Sequence, residues 1–193
     1  MYLFNDAPNS GMSIYDRLAQ SRILFLRQPI TDEVANQAIA QLVYLDGEDP
    51  DAAIQLCIHT EAGSVAAGLA IYDTIRNLRA EVHTICTGVA DGIGSLLLAI
   101  GTPGKRWAQP HARIRLAQPE ASLNWETAHE IETAAREIFR QRQILYELYA
   151  QATGQPIERI AEDGVRRAFM SATEAQAYGL IDSHFERLHQ RIQ

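Results

Sequence analysis

The sequence has few or none of the features that mark secreted, metal-binding, membrane-spanning or nucleic-acid-binding proteins. It contains only two cysteines, and it has no C-x-x-C pair or cysteine and histidine spacing typical of a metal site. Its formal net charge is −7 and its basic residues form no run, which argues against a general nucleic-acid binder. No apolar segment approaches the roughly 18 residues that a membrane helix needs. The N-terminus also lacks the basic start of a signal peptide.

What is present fits one ordinary globular domain. The 193 residues, 47% of them hydrophobic, are enough to bury a single sizeable core. Cys57 and Cys86 each lie inside an apolar run, so we expect buried, reduced thiols and no disulfide. We therefore expect a soluble, intracellular protein without a metal or cofactor, and without nucleic-acid or membrane partners.

Short apolar runs alternate with longer amphipathic segments, which predicts an α/β fold with a mainly parallel sheet. Thr31 and Ser171 have the residue types and positions of helix N-caps. Strands are predicted at residues 22–26, 54–58, 113–116 and the start of 82–100. Helices are predicted at residues 13–20, 31–45, 65–78, 126–153, 157–164 and 171–178, with turns at 47–51 and 101–109. A mobile arm is predicted at residues 1–12 and a polar tail at 186–193.

The stretch at residues 82–100 reads VHTICTGVADGIGSLLLAI and is typical of a strand, a glycine-rich turn and a buried helix. This frame is that of a nucleophile elbow, in which the turn aims a side chain and backbone N–H groups into a cleft. The tip of the turn is Asp91, Gly92 and Ile93, and none of these is an ordinary nucleophile. Asp91 is either a general acid or, more commonly for its type, an exposed turn residue.

The longest helical pattern, residues 126–153, carries Ile131, Ile138 and Leu145 at intervals of seven, with further apolar residues that broaden the stripe. This helix and several other stretches together resemble one family. The stretches are RILFLRQPITDEVANQAIAQLVYLDGEDP, GLAIYDTIRNL, TICTGVADGIGSLLLAIG, GKRWAQPHARI, AREIF, TGQPIERI and FMSATEAQAYGLID. From about Ser13 to Phe185 the chain is similar to ClpP, the proteolytic subunit of the Clp protease.

The resemblance implies a fold and an assembly. The fold is a spiral of β-β-α units shared with the crotonases, within a single domain at residues 13–185. A long protruding handle helix is expected at about residues 120–153. Family members form two stacked seven-membered rings with active sites facing an inner chamber, and a ring-shaped AAA+ unfoldase of the ClpX or ClpC type feeds them. Ile131, Ile138 and Leu145 would lie in the contact between rings.

The resemblance also assigns the catalytic positions, and all three carry other residues here. The family's Gly-x-Ala-x-Ser-x-Gly motif reads Gly-Val-Ala-Asp-Gly-Ile-Gly, which places Gly92 at the nucleophilic serine. The family's His-Gln-Pro reads Ala-Gln-Pro, which places Ala117 at the general base. The orienting aspartate, two residues before the phenylalanine of Phe-x-Ser-Ala, is replaced by Arg167. Glycine has no nucleophile, alanine takes no proton, and arginine cannot orient a neutral imidazole.

The substrate site suggested by the resemblance is changed as well. Gly63 and Ile93 keep the two backbone donors of the oxyanion hole, but Glu61 places a carboxylate beside them that would oppose a developing oxyanion. The Gly-Gly pair that receives extended substrate in the family reads Ala121-Ser122. We therefore expect that the chain neither cuts peptides nor binds them in the usual way.

The pocket in which the family's ATPase docks has lost aromatic residues. Gln55, Cys57 and Asn77 stand where many members have aromatics, which removes apolar contact area. Either the pocket is weakened, or the ATPase docks on neighbouring subunits and this face is neutral. The six matching positions are Val43, Gln55, Cys57, Asn77, Trp107 and Phe185.

These resemblances predict a catalytically inactive subunit, similar to the ClpR subunits of cyanobacteria and plastids. It would form mixed rings with an active ClpP paralogue, in the cytoplasm or, in a eukaryote, the plastid stroma. One alternative is a hydrolase with a displaced nucleophile, Ser95, although Ser95 and Ser64 are more typical of packing or capping residues. His59 and His111, the histidines near the expected cleft, are more typical of surface or hydrogen-bonded groups. Two further alternatives are a crotonase-like acyl-CoA site and a homo-oligomeric ring scaffold.

Overall fold

The computed structural model describes residues 13–119 and 127–184. The predicted arm and tail, together with Ala121, Ser122 and Phe185, lie outside the described residues. The helices are α1 Ile14–Gln20, α2 Asp32–Glu48, α3 Val65–Asn77, α4 Ile93–Ala99, α5 Ala128–Thr153, α6 Ile157–Arg166 and α7 Ala172–Tyr178. The strands are β1 Ile23–Leu26, β2 Ile54–Thr60, β3 Val82–Asp91, β4 Arg106–Ala108, β5 Arg113–Arg115, β6 Met170–Ser171 and β7 Ser183–His184.

All the described strands belong to one sheet, and most of their pairings are parallel. The order β1-β2-β3-β4-β7 is parallel throughout, while β5 runs parallel to the second half of β3 and pairs antiparallel with β6. The long strand β3 therefore has β4 beside its first half and β5 beside its end. This arrangement brings the end of β5 next to the turn after β3, and the predicted α/β fold is confirmed.

The helices bury apolar faces against the sheet. In α2 the buried side chains are those of Ala35, Ala38, Leu42 and Leu45, at the spacing of one helical face. Every residue of α4 is buried, because this helix carries an uninterrupted apolar run and packs against α3, α5 and the sheet. Its complete burial explains why the sequence from residue 96 to 100 lacks any polar face.

Helix ends follow the capping rules that the sequence predicts. The hydroxyls of Thr31 and Ser171 accept hydrogen bonds from backbone N–H groups of their first turns, and Ser171 forms a capping box with Glu174. The long helix α5 begins with a second capping box, of Thr127 and Glu130, and ends at Gly154 in the left-handed region. Both predicted N-caps are therefore confirmed.

Two predicted boundaries are wrong, for reasons that lie in the tertiary structure. The predicted turn at 47–51 begins too early, because α2 continues through Gly47 to Glu48. The Arg22 guanidinium stabilises the end of that helix by donating to the carbonyl of Leu45 and to the carbonyl of Asp49 just beyond it. The predicted turn at 101–109 contains β4, whose three residues are recognisable as a strand only through their pairing with β3. Val43 follows the buried Leu42 in α2 and is itself 54% exposed.

One arginine joins three helix ends beneath the sheet. Arg106 Nη1 donates to the carbonyl oxygens of Ala99, Ala152 and Gly179, each at 3.0 Å. Its Nε donates to the carboxylate of Asp182 at 3.0 Å. These carbonyls lie at the C-terminal ends of α4, α5 and α7, so a single cation stabilises three sets of otherwise unpaired carbonyl groups. The end of the handle is thereby fixed to the sheet.

Candidate functional site

The turn between β3 and α4 has the backbone shape of a nucleophile elbow. Gly92 has φ 56° and ψ −132°, a conformation that side chains rarely adopt, and α4 starts at the next residue. A Cβ built on Gly92 would have no described atom within 4 Å, so the space above the turn is open. The elbow is formed, but its residue has no side chain to present.

The predicted site residues line one cleft beside this turn. Its volume is about 430 Å³, and its walls come from the segment before α3, the β3 turn, the end of β5, α5 and the end of α6. The structure therefore brings together residues that are up to about a hundred positions apart. The predicted positions in the cleft are Gly63, Gly92, Ile93, Ala117 and Arg167, with Glu61 beside them.

The side chains at two of these positions offer no acid–base chemistry to the cleft. Ala117 is buried, and its N–H donates to the hydroxyl of Tyr149 at 2.9 Å. Arg167 is exposed at the end of α6, with φ 51° in the left-handed region. A methyl group cannot accept a proton, and a guanidinium stays charged at all accessible pH.

Asp91 is not the exposed turn residue that its position in the sequence favours. Its carboxylate is 7% exposed and pairs with Arg115, whose Nε lies 2.7 Å from Oδ1. The two residues are direct neighbours in the β3–β5 register. The Arg115 guanidinium also lies 4.6 Å from the ring centre of Phe169. Sequence reasoning missed this pair because the pairing of β5 with the end of β3 decides it.

Ser95 and Ser64, the two serines near the cleft, both form structural hydrogen bonds. Ser95 is fully buried, and its Oγ donates to the carbonyl of Gly92 at 2.9 Å and lies 2.6 Å from the Tyr149 hydroxyl. Ser64 caps α3 by accepting from the N–H of Ala67 at 3.3 Å. Both serines thus have the packing and capping roles that their positions favour.

Neither candidate histidine is among the residues that line the cleft. His59 packs against Gly88, where an added Cβ would lie 2.3 Å from Nδ1, and this nitrogen accepts from the N–H of Val89 at 3.3 Å. His111 is exposed in the turn before β5. No imidazole in the described part of the chain is therefore placed to serve a nucleophile in the cleft.

Tyr149, which the sequence showed only as one of several apolar residues of the long helix, lies directly beneath the site. It is fully buried, and burial raises the pKa of its hydroxyl well above the ordinary value. The hydroxyl contacts the carbonyl of Gly92 at 3.2 Å as well as Ser95 and Ala117. No sequence signal distinguishes this tyrosine from a packing residue.

Comparison with known proteins agrees with this architecture. A family model described as Clp protease matches residues 6–187. The chain belongs to the Clp protease family. It is 49% identical over 171 residues to the ATP-dependent Clp protease proteolytic subunit 2 of Prochlorococcus marinus (strain MIT 9313), covering 89% of this chain and 86% of that protein. The same identity and coverage relate it to the ATP-dependent Clp protease proteolytic subunit 3 of Synechococcus sp. (strain CC9902). The resemblance and the ClpP-like fold that it implied are thereby confirmed.

The positions matched to the Clp family's ATPase pocket fall in two places. Val43 and Asn77 line an open groove of about 420 Å³ between α2 and α3. Cys57 and Trp107 are buried on one face of the sheet, where both pair with Ile85 of β3. Gln55 lies beside Cys57, with Nε2 3.8 Å from Sγ. The remaining position, Phe185, lies outside the described residues.

Both cysteines are buried free thiols, as predicted. Burial raises the pKa of each to about 11, so both stay protonated at neutral pH. Among the described residues no cluster of His, Cys, Asp or Glu could hold a metal ion. No helix in this part of the chain is long and apolar enough to cross a membrane.

The handle positions change from buried to exposed along α5. Leu145 is fully buried near its C-terminal end, Ile138 is half-buried, and Ile131 is 50% exposed. Phe139, on the same helix, is 59% exposed. The helix therefore leaves the body of the domain towards its N-terminal end while it still carries apolar side chains.

Proposed function

We propose that this chain is a non-catalytic structural or regulatory subunit of an ATP-dependent Clp protease core. It assembles into heptameric rings with an active ClpP-type serine protease subunit. The observation that carries the proposal is the cleft in which an elbow-shaped turn presents Gly92 opposite Ala117 and Arg167. These three residues offer the cleft no nucleophile, no general base and no carboxylate, which supports a non-catalytic role.

The chemistry of the cleft supports inactivity. Without a hydroxyl, a base and an orienting carboxylate, only the backbone donors of Gly63 and Ile93 are left to stabilise a transition state. The carboxylate of Glu61 is on the same wall and opposes negative charge there. The two similar proteins are named proteolytic subunits, which describes those chains. The residues of this cleft favour a different role for this one.

The apolar surface of α5 supports assembly. Ile131 and Phe139 are 50% and 59% exposed, and burying their apolar area against another subunit is favourable by about 25 cal/mol per Å². We therefore assign the handle to the contact between rings. The partners are an active ClpP paralogue and, through the assembled core, an AAA+ unfoldase of the ClpX or ClpC type. The core would lie in the cytoplasm, or in the plastid stroma of a eukaryote.

Co-expression with an active ClpP paralogue from the same cell tests this proposal. Native mass spectrometry should show mixed rings with a fixed subunit ratio, and the chain alone should hydrolyse no fluorogenic peptide. The paralogue alone, and the paralogue with its own nucleophile replaced, are the controls that assign any hydrolysis to one subunit. Rings of this chain alone that exclude the paralogue would instead indicate a homo-oligomeric scaffold.

Two enzymatic alternatives are tested on the purified chain. A displaced-nucleophile hydrolase requires labelling by a fluorophosphonate, and the buried, hydrogen-bonded Ser95 argues against it. A crotonase-like acyl-CoA site requires binding of coenzyme A near Gly63 and Ile93. Labelling of a serine, or saturable binding of coenzyme A, would each overturn the proposal of a non-catalytic subunit.

A further inference from the structure

Gly92 and Ala117, two of the positions that we propose as vacated catalytic positions, are connected through the buried hydroxyls of Ser95 and Tyr149. The N–H of Ala117 lies 2.9 Å from the Tyr149 hydroxyl oxygen, which lies 2.6 Å from Ser95 Oγ. Ser95 Oγ in turn lies 2.9 Å from the carbonyl oxygen of Gly92. Ala117, Tyr149 and Ser95 are buried, and an unpaired polar group in such a place costs about 1–3 kcal/mol.

The direction of these hydrogen bonds is limited by which of the four groups can donate and which can accept. An amide N–H only donates and a carbonyl oxygen only accepts, whereas each hydroxyl has a single proton to give. Ala117 therefore donates to Tyr149. Either hydroxyl has the chemistry to donate to the other. The shorter contact with the Gly92 carbonyl, 2.9 Å from Ser95 against 3.2 Å from Tyr149, favours the order in which Tyr149 donates to Ser95 and Ser95 donates to Gly92. In this order every donor and acceptor of the chain of bonds is used. The longer contact of 3.2 Å from Tyr149 to Gly92 offers the tyrosine proton a second acceptor.

The bonds connect the two segments that a catalytic pair would otherwise connect. A nucleophilic serine and its histidine hydrogen-bond each other across the cleft, which fixes the elbow relative to the strand end. Glycine and alanine cannot form such a link. We propose that Tyr149 and Ser95 are a positioning pair that holds the Gly92 turn and the Ala117 segment in register, and so keeps the vacant cleft formed. This inference rests on the proposed function, because it treats Gly92 and Ala117 as vacated catalytic positions.

The same pair ties the cleft to the handle. Tyr149 belongs to α5, whose C-terminal end is fixed to the sheet through the Ala152 carbonyl and Arg106. A displacement of the handle must therefore break the bond to Ala117 or move the Gly92 turn with it. The wall of the cleft and helix α5 are thus connected through the hydroxyl of Tyr149.

Hydrogen exchange of the full chain, measured by mass spectrometry at single-residue resolution, tests the pair. Ala117 lies beyond the end of β5, and its N–H should nevertheless be protected in the unmodified chain. In Tyr149→Phe this N–H loses its acceptor and should exchange roughly tenfold faster or more. In Ser95→Ala the tyrosine proton turns to the Gly92 carbonyl and still leaves an acceptor for Ala117, so protection of this amide should persist.

Tyr146→Phe is the matched control, because it removes the hydroxyl that accepts from the Gln118 side chain at 3.0 Å and leaves Ala117 untouched. A general loss of packing would speed exchange at Ala117 to a similar extent in all three variants, and that result would overturn the proposal. An unprotected Ala117 in the unmodified chain would overturn it without any variant, even if Tyr149→Phe does not fold. Peptide hydrolysis by the chain would refute the proposed function and leave this exchange pattern intact.

Discussion

At the scale of single residues, Gly92 has the backbone conformation of a nucleophile elbow although glycine has no side chain. Its φ of 56° and ψ of −132° are tolerated by glycine, whereas any other residue there stores strain of about 1–3 kcal/mol. An active enzyme accepts that strain because the serine is needed for chemistry. Glycine at this position avoids that strain, so we expect the turn to be more stable than the same turn with a serine at position 92.

Replacing Gly92 with serine should therefore lower the free energy of unfolding by about 1–2 kcal/mol and create no peptidase activity. The space above the turn is open, so the loss comes from the backbone and not from a clash. Urea unfolding gives the first value, and a fluorogenic peptide assay tests the second. Gly47→Ala is the control: this glycine is inside α2 with open space around it, and alanine should stabilise the chain by about 0.4–1 kcal/mol. Hydrolysis by Gly92→Ser alone would contradict our assignment of Ala117 and Arg167.

The buried ion pair of Asp91 and Arg115 should show strong coupling. Arg115→Met leaves a carboxylate in the cleft wall without its cation, which should cost about 3 kcal/mol. Asp91→Ala combined with Arg115→Met should recover most of that loss, since no charge then stays buried. A double-mutant cycle from chemical unfolding measures the coupling, and additive effects of the two changes would show that the pair is not an energetic unit.

At the scale of secondary-structure elements, Arg106 is the residue that holds several helices to the sheet. Its partner Asp182 is partly buried, which by itself would raise the pKa of the carboxyl group. Hydrogen bonds from the side chain and backbone of Arg106 outweigh the burial, and the pKa is lowered. A lowered carboxyl pKa in the folded state adds stability above the unfolded value of about 4. That contribution is lost as the pH falls through the lower, folded value.

Arg106→Met should thus destabilise the chain by about 3 kcal/mol or more at pH 7, because three carbonyls lose a donor and the Asp182 carboxylate loses its cation while it keeps the backbone N–H of residue 106. The difference from the unmodified chain should shrink from pH 7 to pH 3, because below about pH 4 the Asp182 carboxyl group of the unfolded chain takes up a proton and the charge-dependent contribution of the pair begins to be lost. Urea unfolding at the two pH values measures this. Arg79→Met removes a mostly exposed ion pair with Asp46 and should cost less than about 1 kcal/mol. An equal loss at pH 7 and pH 3 would show that the Asp182 charge has no part in the effect.

At the scale of the whole molecule, our proposal assigns the function of the domain to its contacts with other subunits and not to its cleft. Exposed apolar side chains lie on α5 and also on α2, where Val43 lines the same groove as Asn77. A chain that contributes only surfaces to its complex should be sensitive to changes at those surfaces. Its function should be insensitive to small changes in the cleft.

An aromatic residue placed in the α2–α3 groove should strengthen docking of the ATPase. Asn77→Tyr adds apolar area to a groove of about 420 Å³, and about 40–60 Å² of additional burial would tighten binding roughly five- to thirteenfold. The measurement is the Kd of a ClpX-type ATPase for the assembled mixed core. Asn77→Ala is the control and should give no gain. Unchanged affinity in both variants would favour docking on the neighbouring subunits alone.

The sequence by itself determined the class of the fold and the residue types at the positions that we propose as catalytic. Alternating apolar runs and helical stripes predict the parallel α/β sheet, and the caps at Thr31 and Ser171 follow from local hydrogen bonding. The absence of a nucleophile at Gly92 and of a base at Ala117 is likewise a matter of residue type alone. These features are local, so they do not depend on which distant segments meet.

Only the tertiary structure decided what the other polar groups do. The pairing of β5 with the end of β3 converts Asp91 from an apparent turn residue into half of a buried ion pair. The position of α5 under α4 converts Tyr149 from a member of an apolar stripe into a hydrogen-bonded anchor beneath the cleft. Burial and partners come from segments tens of residues apart, and no local pattern specifies them. The physical reason is that a polar side chain in the core must find its partner wherever the fold places one.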